Sequence, residues 1–207
     1  MVNFKKLVLF AFLGIAVLAF VIFVMYADYY KIKKSLTYAD AGKYETALKL
    51  INEVIASHPS SEGHNHRRAL AISTRGVIYN QKGDVDNAIS DYDLAIQLDP
   101  GYAKNYFNRG KAHLKKNNLE LAISDYDKFL EITPNSAWAY YNRGLAFYGT
   151  DQYEKALEDY RNAIRIKPME GPRKAFILFY PVKRALDTAD IREQIIQLFK
   201  SQTEKPD

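Results

Sequence analysis

The sequence contains no cysteine. Disulfide bonds, thiolate metal sites and a cysteine nucleophile are therefore excluded, and so is the lipid-modified cysteine anchor of bacterial lipoproteins. The absence leaves the redox compartment open, because a protein without thiols is at home on either side of a membrane.

Sequence motifs typical of catalysis are also missing. The chain has no GxxxxGK[ST] phosphate-binding loop, no GxSxG nucleophile elbow and no HExxH zinc motif. His58, His64 and His66, with Glu62 between them, are the one cluster that suggests a metal. A solvated junction at a helix start is the alternative, and we favour it because no group that would orient such ligands is apparent. We therefore predict a protein that is not an enzyme and has no metal or cofactor.

An excess of one charge is likewise small. The formal net charge is +5, but residues 28–207 hold 27 Lys and Arg residues against 24 Asp and Glu residues. This balance is too even to argue for a nucleic-acid partner.

The N-terminal segment contains one long apolar run. Residues 7–27 read LVLFAFLGIAVLAFVIFVMYA, without a charge, Asn, Gln or Pro. As a helix, this run would reach about 30 Å at ~1.5 Å per residue, which is the thickness of a bilayer core. It predicts a transmembrane helix from Leu7 to Ala27, with Tyr26, Tyr29 and Tyr30 at the lipid–water interface. A cleaved signal peptide is the alternative, but the run is longer than the apolar part of a typical signal peptide.

The orientation of this segment is nearly balanced by its flanking charges. Lys5 and Lys6 precede the run, and three lysines follow it at positions 31, 33 and 34. The short basic tail is typical of a signal-anchor, which favours a cytoplasmic N-terminus. We expect a single-pass protein of the bacterial cytoplasmic membrane, with the rest of the chain outside the cytoplasm.

The remainder of the chain repeats itself every 34 residues. YFNRG begins at Tyr106 and YYNRG at Tyr140. Four further ladders share this spacing: Gly76, Gly110 and Gly144; Ala88, Ala122 and Ala156; Tyr92, Tyr126 and Tyr160; Pro100, Pro134 and Pro168. Ladders in one register indicate an internal repeat. We number the repeats 1 to 4, at residues 28–61 (the weakest match), 69–102, 103–136 and 137–170.

The recurring residues have packing roles in a helical hairpin. Glycine and alanine twelve residues apart, such as Gly110 and Ala122, would let two paired helices approach closely. Proline would end each second helix. Gly42, Gly83, Asn117 and Asp151 tolerate the left-handed backbone of a tight turn. Each hairpin would need its neighbour to cover its apolar face, so the hairpins should stack.

These repeats resemble the tetratricopeptide repeat (TPR), a helix–turn–helix of 34 residues, in a membrane-anchored protein of bacterial type. The resemblance implies an all-α fold, a right-handed α-solenoid after the N-terminal transmembrane helix. We divide the chain into a tail and transmembrane helix (1–27), four TPR repeats (28–170), and capping helices with a tail (171–207). Seven extra residues, 62–68, should lengthen the first helix of repeat 2.

The resemblance also implies a concave groove, lined by the first helices, that binds a protein or peptide. The groove residues that it assigns are Lys104, Phe107, Asn108, Lys111, Leu114, Trp138, Tyr141, Asn142, Leu145 and Tyr148, with Leu70, Ser73, Thr74, Val77 and Asn80 from repeat 2. The amides of Asn108 and Asn142 would bond a ligand backbone. Of the TPR carboxylate clamp for acidic chaperone tails, only Asn108 matches, which argues against that ligand.

Some of these residues have a second interpretation. The aromatic side chains of repeat 4, Trp138, Tyr141 and Tyr148, could form a binding surface or could be core residues covered by the C-terminal helices. Arg109 and Arg143 should pack their stems and keep their charged heads in water. The Asp-Tyr-Asp segments at 91–93 and 125–127 should present their carboxylates to solvent.

The function that we expect is a membrane-tethered scaffold for a partner polypeptide, in an envelope or secretion assembly. A self-assembling structural protein, which forms homo-oligomers through its terminal faces, is the alternative. An enzyme and a nucleic-acid-binding protein are less favoured.

Overall fold

The computed structural model describes residues 4–58 and 65–166, with the backbone alone for residues 4–12, 16, 18–25 and 65. Within these ranges the chain forms eight α-helices and no strand. The helices are α1 (Phe4–Asp40), α2 (Tyr44–Ser57), α3 (Asn65–Lys82), α4 (Val85–Leu98), α5 (Ala103–Lys115), α6 (Leu119–Ile132), α7 (Ala137–Gly149) and α8 (Tyr153–Ile166). The predicted all-α class is confirmed, and α3 is longer than α5 and α7, as the extra residues before repeat 2 predicted.

The chain divides into two compact units, an N-terminal unit of residues 1–98 and a C-terminal unit of residues 99–207. In the N-terminal unit, α1 pairs with α2, α3 pairs with α4, and α2 packs against α3. In the C-terminal unit, α5 pairs with α6, α7 pairs with α8, and α6 packs against α7. Each unit thus contains two stacked helical hairpins. The division into four repeats and the handedness of the solenoid stay predictions.

The turns inside the hairpins have the left-handed backbone that their residue types predicted. The φ angles are +73° at Gly42 and +94° at Gly83 in the N-terminal unit. In the C-terminal unit they are +61° at Asn117 and +59° at Asp151. Glycine adopts this conformation without strain, and asparagine and aspartate tolerate it better than other residues do.

The glycine ladder allows close packing, and its main partner is the tyrosine ladder. A Cβ atom at Gly110 would lie 3.0 Å from Cε1 of Tyr126, and one at Gly144 would lie 2.7 Å from Cε1 of Tyr160. At Gly76 the corresponding distance to Tyr92 is 2.8 Å, with the carbonyl oxygen of Ala88 at 3.2 Å. The close approach predicted for glycine and alanine is therefore mostly a contact between glycine and an aromatic ring.

The tyrosine hydroxyl contributes little to this packing. Tyr160 is buried, and its hydroxyl has no hydrogen-bond partner within the described residues. Burial raises the pKa of this hydroxyl, because the phenolate form is poorly solvated there.

We expect Tyr160→Phe to change the free energy of unfolding at pH 7 by no more than about 1 kcal/mol. A buried hydroxyl without a partner loses its hydrogen bonds to water, and this loss offsets what its packing contributes. The folded-state pKa of Tyr160 lies above the unfolded value of about 10. The stability that the neutral hydroxyl contributes is therefore complete below pH ~10 and is lost as the pH rises through the folded-state pKa. Urea denaturation should show that the free energy of unfolding of the variant, relative to that of the wild type, is higher at pH 11 than at pH 7. A loss of more than ~2 kcal/mol at pH 7 would contradict the packing described.

Three arginine–aspartate pairs join the two helices of a hairpin, sixteen residues apart in each case. The guanidinium of Arg109 donates to both carboxylate oxygens of Asp125, from Nε at 2.9 Å and from Nη2 at 2.6 Å. Arg75 with Asp91 and Arg143 with Asp159 repeat this fork. The three aspartates are buried. The prediction that Asp91 and Asp125 face solvent is therefore wrong, and so is the prediction that Arg109 and Arg143 keep their heads in water. Each aspartate can be buried because a half-buried arginine satisfies its charge.

Arg143 also links the two hairpins of the C-terminal unit. Its Nη1 donates to the carboxylate of Asp127 on α6 at 2.6 Å. The hydrogen bonds to Asp159, and then to Asp127, raise the pKa of Arg143 and keep it charged. Burial raises the pKa of Asp159, and the guanidinium of Arg143 only partly offsets this effect. Arg143 is therefore the main group that lowers the pKa of this buried carboxyl.

The histidine cluster is resolved only in part. His58 is buried, with Nε2 at 3.3 Å from a carboxylate oxygen of Asp28 on α1. The predicted solvated junction is thus wrong for His58, whereas His66 is exposed. His64 and Glu62 lie outside the described residues. No group of His, Asp and Glu side chains in residues that the structure describes is arranged to hold a metal ion.

The predicted transmembrane helix is described only in part by the structure, and the predicted capping helices are not described. In the described part of the chain, no helix meets both the length and the apolarity that crossing a membrane requires. Most side chains of the predicted span, Leu7 to Ala27, lie outside the described residues, although its backbone belongs to α1. The predicted capping helices at 171–207 lie entirely outside them.

Candidate functional site

The C-terminal unit contains an open pocket of about 530 Å³ between α5, α6 and α7. We call it the aromatic pocket. Its lining combines three aromatic side chains, two lysines and two small polar residues: Phe107, Phe129, Trp138, Lys104, Lys111, Ser136 and Asn142.

Helical spacing brings these residues to one side of the unit. Lys104, Phe107 and Lys111 follow one another at intervals of three and four along α5, so they share a face. Trp138 and Asn142, four residues apart on α7, do the same. The start of α7 is fixed by Ser136, whose hydroxyl accepts a hydrogen bond from the backbone N–H of Ala139 at 3.3 Å. This N-cap places Trp138 in the first turn of α7, at the edge of the pocket.

Three aromatic side chains line the pocket: Phe107 and Phe129 form its floor, and Trp138 forms one wall. The rings of Phe107 and Phe129 are 5.1 Å apart between centroids, and Phe107 meets the buried ring of Tyr126 at 5.8 Å. Trp138 contacts Tyr141 edge-on at 6.2 Å, yet it is 59% exposed. The floor is therefore anchored in the core, whereas the indole ring is available to a ligand.

The polar groups of the pocket offer positive charge and one acceptor. Lys104 and Lys111 are exposed, and the ammonium of Lys111 lies 5.9 Å from the centroid of the Phe107 ring. The side-chain N–H of Asn142 donates to the carbonyl oxygen of Trp138 at 2.6 Å. One of its two amide N–H groups is thus used within α7, and the amide oxygen can accept from a ligand.

Five of the ten groove residues assigned in repeats 3 and 4 line the pocket, and the other five do not. Those in the pocket are Lys104, Phe107, Lys111, Trp138 and Asn142. Tyr141, Leu145 and Tyr148 pack against the core residues Ala156, Leu157 and Tyr160. Leu114 packs against Ala122, Tyr126 and Ala146, and Asn108 is half-buried outside the pocket.

The two interpretations of the repeat 4 aromatics therefore divide between residues. Trp138 is exposed at the pocket, and Tyr141 and Tyr148 are partly buried against the core. Burial raises the pKa of Tyr141 to about 12. In the N-terminal unit, Ser73 and Thr74 are buried rather than open to a groove.

Sequence reasoning missed two lining residues, Phe129 and Ser136. Neither lies in the part of a first helix to which the resemblance assigns the groove. A signal for Phe129 was nevertheless present, because the equivalent positions in repeats 2 and 4 hold Ala95 and Ala163. Repeat 3 thus carries a large ring at a position where repeats 2 and 4 carry alanine, and this ring forms part of the floor of the pocket.

Comparison with known protein families identifies TPR repeats in this chain. Models described as TPR repeat match residues 76–117 and 114–151, and a model described as tetratricopeptide repeat matches residues 137–169. Among curated proteins, none matches the sequence.

Solved structures with the same fold include several TPR proteins. MamA (residues 41 to the end) from Desulfovibrio magneticus RS-1 is 22% identical, with a TM-score of 0.66 over 86% of this chain and 93% of that chain. A tetratricopeptide repeat protein from Parabacteroides merdae is 19% identical, with a TM-score of 0.66 over 86% and 67%. The first TPR of Spaghetti (RPAP3), bound to the HSP90 peptide SRMEEVD, is 23% identical, with a TM-score of 0.52 over 58% and 91%. At these identities the likeness establishes the TPR solenoid-like fold and nothing further.

Proposed function

We propose that this protein is a membrane-tethered scaffold that binds a segment of a partner polypeptide in the aromatic pocket. TPR proteins mediate protein–protein interactions, and one structural relative is bound to a peptide. The observation that carries the proposal is Trp138, a large ring left 59% exposed beside an aromatic floor. Exposed aromatic side chains over a preformed pocket are the usual centres of binding energy at protein interfaces.

Trp138→Ala should weaken partner binding by at least about 2 kcal/mol, close to 30-fold, as truncation of an interface hot spot does. The same change should lower the free energy of unfolding by less than ~1 kcal/mol, because the indole makes few buried contacts. Crosslinking and pull-down from native membranes would provide the partner, and its affinity would be measured for both forms of the full-length protein.

The matched control is Leu121→Ala, which truncates another exposed apolar side chain of the same unit outside the pocket. Its binding should equal that of the wild type. If Trp138→Ala shifts unfolding strongly and leaves binding unchanged, the ring is part of the core and the pocket is not the binding site.

The tether is proposed from the apolar run at residues 7–27. It is supported by exposed apolar side chains along α1, which are those of Leu13, Ile15, Val17, Tyr26, Tyr29 and Tyr30. Lipid would cover such a surface, and tyrosines at its end suit the interface. The helix then continues to Asp40, and Ile32 and Leu36 on it pack against the core of the N-terminal unit. The tether would thus be continuous with the first hairpin.

Alkaline carbonate extraction of native membranes tests the tether, and protease treatment of sealed vesicles tests its orientation. The protein should remain in the membrane pellet. Digestion from the periplasmic face would support an extracytoplasmic position, and release by carbonate would refute the tether. Self-assembly through the terminal faces stays a prediction, because one of those faces lies outside the described residues.

A further inference from the structure

We infer that the segment bound by the aromatic pocket carries one apolar side chain between two acidic side chains about three residues apart. This inference rests on the proposed function and specifies its ligand.

The lining of the pocket is positively charged and contains no acidic residue. Lys104 and Lys111 are its two charged members. Within the residues that the structure describes, Lys104 has no hydrogen bond or ion pair, and the ammonium of Lys111 lies over the Phe107 ring. Both ammonium groups are therefore available to a ligand carboxylate. Such charge complementarity favours acidic partners and speeds their association.

The spacing of the two lysines sets the spacing of the acidic groups. Lys104 and Lys111 are seven residues apart on α5, which corresponds to about 10.5 Å along a helix at ~1.5 Å per residue. A polyproline II segment advances ~3.1 Å per residue and returns to the same side every three residues, or about 9.3 Å. An extended ligand that runs along α5 therefore reaches both ammonium groups with acidic residues three apart.

The surface between the lysines requires an apolar group. Phe107 lies between them on α5, and Phe129 and Trp138 extend this surface across α6 and α7. A ligand side chain placed here removes apolar area from water at ~25 cal/mol per Å². The amide oxygen of Asn142 can accept one backbone N–H of the same segment, which would fix its direction.

A lipid phosphate group fits this arrangement less well. One phosphate would draw both ammonium groups to a single point and would leave the aromatic floor uncovered. The separation of the charges by rings favours a polypeptide, so lipid binding becomes an outcome that the experiment must detect.

The test uses the full-length protein in detergent micelles with synthetic peptides capped at both ends, so that no terminal charge contributes. One peptide contains Glu-Leu-Pro-Glu between Gly and Ser residues, and its partner contains Gln-Leu-Pro-Gln. Binding is followed by the anisotropy of a labelled peptide. The emission of Trp138, the only tryptophan of the chain, reports whether the peptide reaches the pocket.

The acidic peptide should bind at least about 10-fold more tightly than the Gln peptide, and this ratio should fall as salt increases. In the variant Lys104→Glu/Lys111→Glu the preference should disappear or reverse. Lys49→Glu, which changes an exposed lysine of α2 in the N-terminal unit, should leave the preference intact.

The outcomes separate this inference from the proposed function. If both peptides bind equally and both lose affinity in Trp138→Ala, the pocket binds peptide and the acidic specificity is wrong. If neither peptide shifts the Trp138 emission and Trp138→Ala leaves partner binding unchanged, both proposals fall. If vesicles of phosphatidylglycerol, but neither peptide, shift the emission in a manner that depends on the two lysines, the occupant is a lipid headgroup and the inference is overturned.

Discussion

Replacing Arg143 by methionine should lower the free energy of unfolding at pH 7 by about 3–5 kcal/mol, the range measured when one partner of a buried ion pair is removed. Asp159 is buried at 3% exposure and accepts two hydrogen bonds from the guanidinium, at 2.8 Å each. Without Arg143 this carboxylate would have no compensating charge. Asp127 would lose the same partner, although its own exposure makes that loss small.

The loss should depend on pH in a defined direction. The pKa of Asp159 is already raised by burial, and the Arg143 hydrogen bond is the main influence that lowers it. The variant should therefore raise this pKa further. A carboxyl whose folded-state pKa lies above its unfolded value contributes stability below the unfolded pKa, and this contribution is lost as the pH rises through the folded-state pKa. The difference between variant and wild type should therefore shrink as the pH falls from 7 toward 4, as urea denaturation at each pH would show.

Two further variants make this result specific. Arg143→Met with Asp159→Leu should recover most of the lost stability, since an apolar pair of similar size can replace a buried ion pair. Arg161→Met, at an exposed position on α8, should change the free energy of unfolding by less than ~0.5 kcal/mol. A loss at Arg143→Met that is independent of pH and is not recovered in the double variant would mean that packing of the arginine stem, rather than charge, is responsible.

The arginine–aspartate pairs are a feature that the sequence alone did not predict. The periods of glycine, alanine, tyrosine and proline predicted helical hairpins, and the residue types at Gly42, Gly83, Asn117 and Asp151 predicted their turns, because both features depend on local geometry. The arginines at 75, 109 and 143 form an equally regular ladder with the aspartates at 91, 125 and 159. Nothing local says that these charges meet, since the contact depends on how two helices are rotated about their axes.

The candidate site was predictable to a similar degree. The TPR resemblance placed Lys104, Phe107 and Lys111 in one groove, and all three line the aromatic pocket. The resemblance could not separate Trp138 from Tyr141 and Tyr148. These residues are three, seven and ten positions apart, so they lie on neighbouring parts of one helix face, and the position of α8 decides which are covered. Asn142 was assigned to a ligand, but four residues before it the carbonyl oxygen of Trp138 competes for the same amide.

Replacing Gly144 by leucine should lower the free energy of unfolding by more than about 3 kcal/mol, at the upper end of what overpacking a core costs. A Cβ atom at this position would already lie 2.7, 3.0 and 3.2 Å from three carbons of the Tyr160 ring, which is buried on α8. The larger leucine side chain must push α7 and α8 apart. Gly144→Ala should cost less, ~1–3 kcal/mol, because only one atom has to be accommodated.

The contact with Tyr160 makes this prediction testable by compensation. Tyr160→Leu creates a cavity of its own, yet combined with Gly144→Ala it should cost less than the sum of the two single changes, since the added methyl group enters the space that the ring leaves. Gly101→Ala is the control, because its Cβ atom would meet only a carboxylate oxygen of Asp99 at 3.7 Å, an ordinary contact. If the two changes are simply additive, the ring is not what Gly144 accommodates.

Trp138 is in the first turn of α7, and Gly144 is two turns further on. The folded fraction of Gly144→Ala should therefore retain its affinity for the acidic peptide. This result would separate the residue that holds the hairpin together from the residue that binds.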